Sequence, residues 1–286
     1  MPLSTRMVGS STDSITHSVD NRALMAYAAG IGDLNPRYMD PHAQPLIAHP
    51  VFPVCLEWPV ILTSRKLPGY ETVTPAESAR GVHAAHDLHI YRPIRAGDRL
   101  TTQATVIGLK AIKPGAAQMT RLDTVDQTGA LVARTYQLGI SRGVEVTGGH
   151  AETETPPPLP QPGETVGDER SFSIHVQAGA AHVYTECARI FNPIHTDRAV
   201  ALAAGLPDII LHGTATMALA VTRLVDEYLG GDPTRVRRLG GRFSAMVLMP
   251  STLRLTVSGP ENDTLFYTVY TQGGEAAFSQ GFLCFE

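Results

Sequence analysis

This sequence has few cysteines and little net charge, and each of these two features argues against a class of protein. Three cysteines, Cys55, Cys187 and Cys284, occur among 286 residues, and their spacing matches no metal-binding motif. Such an odd, sparse set is typical of free thiols in a reducing compartment, so we expect a cytoplasmic protein. The net charge of −4 gives no general attraction to nucleic acids or to anionic membranes.

Long hydrophobic runs are also missing. No apolar stretch reaches the roughly 18 residues that predict a transmembrane helix, and the first residues lack the apolar core of a signal peptide. We therefore expect neither a membrane nor a nucleic acid as a partner. The 43% of hydrophobic residues, over this length, suits one large or two small globular domains.

Two segments of the chain share one pattern. Residues 27–38 read YAAGIGDLNPRY, and residues 184–195 read YTECARIFNPIH. A tyrosine and an Asn-Pro pair coincide at one offset without a gap, which indicates an internal duplication.

Each half of the sequence predicts a helix followed by an antiparallel meander. Apolar residues in segments 55–62 and 209–223 are typical of helices, and a further short helix is expected after the capping residue Asp20. Alternating segments bounded by turn residues predict the strands. The predicted strands are 85–91, 99–109, 118–124, 131–141, 239–243, 253–258, 264–271 and 276–285.

A proline-rich segment separates the two halves. Residues 148–168 include PPPLPQPGE, which predicts a stiff and extended linker. The predicted domains are therefore residues 1–147 and 169–286, and the first fifteen or so residues are expected to form a loose tail. Composition and element order alone give the α+β class.

The densest group of polar residues lies within 184–213. Pro193 fixes its own φ and disfavours helical geometry at Asn192, so the sequence NPIH predicts an ordered turn. Such a turn would hold His195 in one place. Histidine titrates near neutral pH, which suits a general acid or base.

This motif resembles the MaoC-like family, which includes the (R)-specific enoyl-CoA hydratases. The family pattern is roughly Y-x-x-S-G-D-x-N-P-[IL]-H, followed later by I-L-H-G. The positions kept here are Asn192, Pro193, His195, His212 and Gly213. Ile190 stands where the family has its catalytic aspartate, which favours a non-standard substrate.

The resemblance implies a tandem (double) hotdog of the α+β class, with a long central helix in each half wrapped by an antiparallel sheet. The N-terminal half would hold an acyl-CoA thioester substrate, and the C-terminal half would carry catalysis without a cofactor or a metal. We expect His212 and Tyr184 to bind substrate, and Arg242 or Arg95 to meet the CoA phosphates. A homodimer of double hotdogs is plausible.

Three arrangements would supply the acid and base that hydration needs. In the first, His195 works with water alone, is oriented by Asn192, and relies on the Gly213 N–H to polarise the thioester carbonyl. In the second, a carboxylate from the first half, Glu57 or Asp33, completes the pair. In the third, Glu186 bends in from a strand before the turn. Each of these carboxylates also has a purely structural interpretation.

Three functions stay open on this evidence. The first is a hydratase or dehydratase acting on a non-standard acyl group, such as a branched, dicarboxylic or aromatic one. The second is an acyl-CoA thioesterase on the same fold. The third is a non-catalytic subunit that binds acyl-CoA beside an active partner.

The sequence HAAHDLH places three histidines on one predicted strand. Strand alternation predicts that His83 and His89 share a face and that His86 points the other way. We therefore interpret them as surface residues or neighbours of the acyl site rather than as metal ligands.

Overall fold

The computed structural model describes residues 2–71, 73–163 and 169–286. The first half of the chain contributes four helices and eight strands to it. The helices are α1 (Asn21–Gly30), α2 (Pro36–Met39), α3 (Pro53–Thr63) and α4 (Pro75–Ser78). The strands are β1 (Leu3–Ser4), β2 (Ile15–Ser18), β3 (Gly81–Ile90), β4 (Arg99–Ile112), β5 (Gly115–Val125), β6 (Leu131–Arg142), β7 (Val146–Thr147) and β8 (Ala151–Glu152).

The second half repeats this plan after residue 169. Its helices are α5 (Ala180–Ala188), α6 (Arg198–Ala203) and α7 (Gly213–Tyr228), and its strands are β9 (Arg170–Val176), β10 (Val236–Phe243), β11 (Ser251–Glu261), β12 (Thr264–Tyr270) and β13 (Ala276–Phe285). Short 3-10 turns occur at Thr5–Met7, Ser64–Lys66, Pro193–His195 and Pro233–Arg235.

One large sheet joins the two halves. Its strand order is β2-β4-β5-β6-β3-β10-β13-β12-β11-β9, with β8 paired to β4. The order in the first half mirrors the order in the second, and the halves meet where β3 pairs with β10 in antiparallel register, with Leu88 opposite Leu239. This repetition confirms the duplication that the two Asn-Pro segments indicate.

The longest helix lies against the core of the second half. Met217, Val221, Leu224 and Val225 of α7 are all buried, as their helical spacing predicts. The helix ends just before Gly230, which has a positive φ of 63° that glycine adopts without strain.

Helices α1 and α5 pack against each other across the two halves. Gly30 permits this approach, because a Cβ there would lie 2.6 Å from the Cβ of Cys187. The predicted cap of α1 is present, since the Asp20 carboxylate accepts the Ala23 N–H at 2.8 Å. Glu186 lies on helix α5, so the prediction that it sits on a strand was wrong.

The N-terminal residues are ordered, which corrects the expected loose tail. Leu3 and Met7 are 1% and 0% exposed. They pack with Val106 and Leu109 in a small core of their own, and β1 pairs in parallel with β7. Burial of these apolar side chains offsets the entropy of ordering the segment.

The segment between the halves begins with β8, which pairs with β4. The Pro158 carbonyl accepts a hydrogen bond from Arg238 at 3.1 Å, while residues 164–168 of the predicted linker lie outside the described residues. Within the described ranges, no helix combines the length and apolar character that crossing a membrane requires.

Candidate active site

His195 closes the 3-10 turn that the Asn-Pro pair begins. The Asn192 side chain accepts the Ile194 N–H at 3.5 Å. His195 Nδ1 lies 2.8 Å from the carbonyl oxygen of Ile210. Because a carbonyl only accepts, Nδ1 must carry the hydrogen, and Nε2 of the neutral ring is left with a lone pair. The hydrogen bonds of the described residues include none to His195 Nε2.

His212 lies directly against His195. The two rings stack with centroids 3.7 Å apart and planes 26° apart. His212 Nε2 lies 3.2 Å from Thr185 Oγ1 and 3.3 Å from the Ile190 carbonyl oxygen, which fixes the ring. Burial lowers the pKa of His195 to about 4 and that of His212 to about 2, so both rings are neutral at pH 7.

Gly213 begins helix α7 beside these rings. The first N–H groups of a helix have no intrahelical partner and carry partial positive charge. The ring of Phe243 lies so close that a Cβ at Gly213 would be 2.7 Å from its Cδ1. The next residue is fixed by Tyr184, whose hydroxyl donates to Thr214 Oγ1 at 3.1 Å. A backbone donor therefore stands near a neutral base.

The position of the missing aspartate is apolar. Ile190 is 6% exposed and packs in the main core. In the described part of the chain, no carboxylate forms a hydrogen bond or an ion pair with His195. The site therefore contains a histidine base and a backbone donor, with no carboxylate paired to the base.

Asp33 lies in the equivalent loop of the first half and has other partners. Its Oδ2 accepts the Thr222 hydroxyl at 2.8 Å, and Thr222 Oγ1 lies 3.2 Å from His49 Nε2. His49 Nδ1 accepts the Val51 N–H at 3.1 Å, so Nε2 carries the hydrogen and donates. Burial raises the pKa of Asp33 and lowers that of His49 to about 3. These bonds tie Asp33 to helix α7.

The rest of the first loop also holds the end of α7. Asn35 Nδ2 donates to the Gly231 carbonyl at 2.8 Å, and Arg37 pairs with Asp232 at 3.2 Å. Tyr38, which takes the place of His195, is fully buried. The side chains of this loop therefore connect the two halves rather than forming an open site.

Glu57 is buried inside the first half. It is 2% exposed, and it accepts a short hydrogen bond from the Thr135 hydroxyl on β6. Burial raises its pKa to about 7. The structure shows no contact between Glu57 and His195, so its role as a catalytic partner stays a prediction.

The remaining predicted residues lie at the surface. Arg242 is exposed and lies between Gly241 and Phe243 on β10, so strand alternation turns it away from the face that Phe243 shares with α7. Arg95 is exposed as well. Among the described residues, neither guanidinium is in an ion pair, which leaves both available to phosphates. Glu186 and Asn192 line a surface cleft beside Phe191.

The predicted faces of the three histidines were wrong. A β-bulge between His83 and Ala85 shifts the alternation by one residue. The rings of His83 and His86 consequently lie 5.2 Å apart, while His89 packs on Tyr136 at 5.8 Å on the other face. The His83 ring also contacts Phe243, with centroids 4.6 Å apart. Sequence reasoning missed Phe243, and no local signal marks the bulge.

Two family models match this chain. Residues 161–277 match the MaoC-like domain, and residues 6–135 match the FAS1-like dehydratase domain region. A peroxisomal enoyl-CoA hydratase 2 of Arabidopsis thaliana is 25% identical over 83% of this chain and 81% of its own length.

Solved structures share the fold. A MaoC-like dehydratase from Phytophthora capsici matches with a TM-score of 0.82 at 22% identity, over 98% of this chain and 97% of its own. A Mycobacterium tuberculosis protein described as a double hotdog matches with a TM-score of 0.64 at 17% identity, over 96% of this chain and 94% of its own. The expected double hotdog of the α+β class is thereby confirmed.

Proposed function

We propose that the protein is a hydratase acting on acyl-CoA thioesters, because residues 161–277 match the MaoC-like domain and residues 6–135 match the FAS1-like dehydratase domain region. It would add water to an enoyl-CoA or remove water from a 3-hydroxyacyl-CoA. One observation carries the proposal: His195 Nε2 is unprotonated, and the His195 ring stacks on His212, the residue directly before the free helix terminus at Gly213.

The geometry supports a route with a single base. His195 Nε2 takes a proton from water while the water oxygen bonds to C3 of the enoyl group. The C2–C3 π electrons move toward the thioester, and the Gly213 N–H stabilises the enolate oxygen that forms. The imidazolium then gives its proton to C2. Its Nδ1–H stays bonded to the Ile210 carbonyl throughout, which holds the ring in place.

The three carboxylates play lesser parts in this proposal. Asp33 and Glu57 have structural partners in Thr222 and Thr135, and Glu186 is exposed in the surface cleft that Asn192 also lines. We therefore place His195, Asn192 and Gly213 first as catalytic residues. Without the aspartate, we expect a more weakly assisted reaction on a non-standard acyl group.

The substrate would lie across both halves of the chain. Residues 1–147 would hold the acyl chain and residues 169–286 would carry the chemistry, with 148–168 between them. His212 and Tyr184 would support the thioester site from within, since both are buried beside Gly213. Arg242 would meet the CoA phosphates around the end of β10. A homodimer and a cytoplasmic location stay predictions.

One alternative has support from a specific residue. The apolar Ile190 at the aspartate position favours a subunit that binds acyl-CoA without converting it. A thioesterase has less support, because Asp33 and Glu57, the carboxylates that would activate water, are engaged elsewhere.

The test follows the loss of enoyl-thioester absorbance with a panel of enoyl-CoAs. We expect wild-type turnover, and a fall in kcat/KM of about 10²- to 10⁴-fold in His195→Ala, as for loss of a general base. The matched control is His175→Ala, an exposed histidine on β9. Acyl-CoA binding without turnover on any substrate would overturn the hydratase proposal and favour the binding subunit.

A further inference from the structure

The interior of the first half contains polar atoms without a protein partner. His86 is 2% exposed, and neither of its ring nitrogens is hydrogen-bonded to any described residue. The Oε1 of Gln137 is buried and unpartnered in the same way. Buried polar groups are nearly always hydrogen-bonded, so such a pair calls for an explanation.

These two side chains share one face of the sheet. His86 and Gln137 are direct cross-strand partners on β3 and β6, and such partners point to the same side. Leu88, two residues along β3, is fully buried in the main core with the helices. The shared face is therefore the inner one, which the helices cover.

A chain of ring contacts links this face to the candidate active site. Phe243 packs on Gly213, His83 packs on Phe243 at 4.6 Å, and His86 follows His83 at 5.2 Å. Since His83 and Phe243 are only partly buried, the path begins near the surface. It leads from the thioester end of the site into the half that would hold the acyl chain.

The groups along this path are uncharged. Burial lowers the pKa of His86 to about 4, and that of His83 well below its usual range. The buried polar residues of the described chain include no lysine or arginine. Glu57, whose pKa is raised to about 7, lies on the same inner face through Thr135 and would repel a carboxylate.

The matching strands of the second half are different. These strands, β10 and β13, present Leu239, Phe278 and Leu283 to the core. A plain alkyl chain would suit that lining, whereas it would leave His86 and Gln137 without partners. A ligand group that both donates and accepts a hydrogen bond would satisfy Gln137 Oε1 and the protonated nitrogen of His86.

We propose that His86 and Gln137, with His83 at the entrance, form an acyl subsite that selects a hydroxylated acyl chain. The hydroxyl accepts from one nitrogen of His86 and donates to Gln137 Oε1. This inference rests on the proposed function, because it takes the acyl-CoA to be the substrate of the His195 site.

The first measurement is binding, which does not depend on turnover. Calorimetry would compare saturated acyl-CoAs from hexanoyl to decanoyl with their ω-hydroxy counterparts. We expect the wild type to bind the hydroxylated chain at least tenfold more tightly at the length that reaches His86. His86→Leu, which places an apolar group beside Leu88, should abolish or reverse that preference.

A matched control comes from the same strand. His89→Leu changes a histidine on the outer face, so the preference should persist. If His86→Leu fails to fold, Gln137→Leu removes the acceptor alone and should reduce the preference severalfold. Equal binding of plain and hydroxylated chains at every length, or an equal loss for both in His86→Leu, would overturn the subsite.

Hydration of the corresponding enoyl-CoAs is measured separately. Turnover without any preference would leave the proposed function standing and overturn the subsite. A binding preference without turnover would do the opposite. The two proposals therefore fail independently.

Discussion

The two Asn-Pro loops have the same backbone plan and different surroundings. In the first loop, Asp33 and Asn35 bond to Thr222 and to the Gly231 carbonyl of the other half. In the second, His195 bonds through Nδ1 to the Ile210 carbonyl and stacks on His212, and its Nε2 has no hydrogen bond among the described residues. The comparison teaches that the two copies of one motif have different surroundings. The loop with the carboxylate joins the halves, and in our proposal the loop with the histidine carries the chemistry.

The sheets beneath the loops differ in the opposite sense. The first half buries Glu57 on α3 and His86 on β3, whereas the buried polar groups on the described strands of the second half include Thr256, Thr264 and the Tyr267 hydroxyl. Burying an ionisable group costs free energy. Where such a group does not contact the reacting atoms, we expect it to have a structural or binding role. Asp33 has a structural role, because it bonds to Thr222 of the other half. In our proposal His86 has a binding role, because it recognises the acyl chain.

The largest effect expected on this comparison concerns Glu57. Its folded-state pKa of about 7 lies above the unfolded value of roughly 4.3, so its stabilising contribution is present at pH 4 and is lost as pH rises through 7. We expect wild type to lose about 3 kcal/mol of unfolding free energy between pH 4 and pH 9 relative to Glu57→Gln. Urea unfolding at a series of pH values measures this.

The Glu57→Gln variant also tests whether Glu57 has a structural role rather than a catalytic one. Glu57→Gln keeps the size of the side chain and should keep most of the hydratase activity at pH 7. A loss of turnover comparable to that of His195→Ala, without a change in stability, would show that Glu57 acts on the substrate. The proposal that the second half alone carries the chemistry would then be wrong.

Sequence reasoning reached the local features of this fold. Helical spacing located α7, and Pro193 indicated the turn that holds His195, because both depend on neighbouring residues. The cap by Asp20 is equally local. The family resemblance then supplied the double hotdog, which composition alone could not.

Features that depend on distant residues escaped it. The bulge after His83 is set by pairing with β6. The order of the first residues depends on β7, about 140 positions along the chain. Nothing near Asp33 in sequence indicates Thr222 as its partner. The sequence therefore identifies the candidate residues. It does not identify their surroundings, which decide whether a loop connects the halves or forms the candidate site.

A smaller effect is expected at Asp33. Asp33→Ala leaves the Thr222 hydroxyl and the Asn35 N–H without their acceptor, which should lower the unfolding free energy by about 2 kcal/mol. Turnover per folded molecule should stay within about twofold of wild type. Thermal unfolding and kinetics on the same preparation measure both. A selective loss of turnover would instead place Asp33 in the reaction.

The smallest effect is expected from restoring the aspartate of the second loop. In Ile190→Asp, the carboxylate would replace a buried side chain at a residue whose carbonyl oxygen lies 3.3 Å from His212 Nε2. The new carboxylate is a second acid/base group and should raise kcat/KM on a plain enoyl-CoA by about tenfold. This is less than the roughly 10²- to 10⁴-fold typical of such groups, because burial disfavours the charged carboxylate. Ile190→Asn, polar but not titratable, is the matched control and should give no increase.

An equal gain in both variants would mean that polarity rather than proton transfer limits the site. No gain in either would mean that His195 with the Gly213 N–H is already sufficient, so the two loops have diverged beyond the exchange of a single residue.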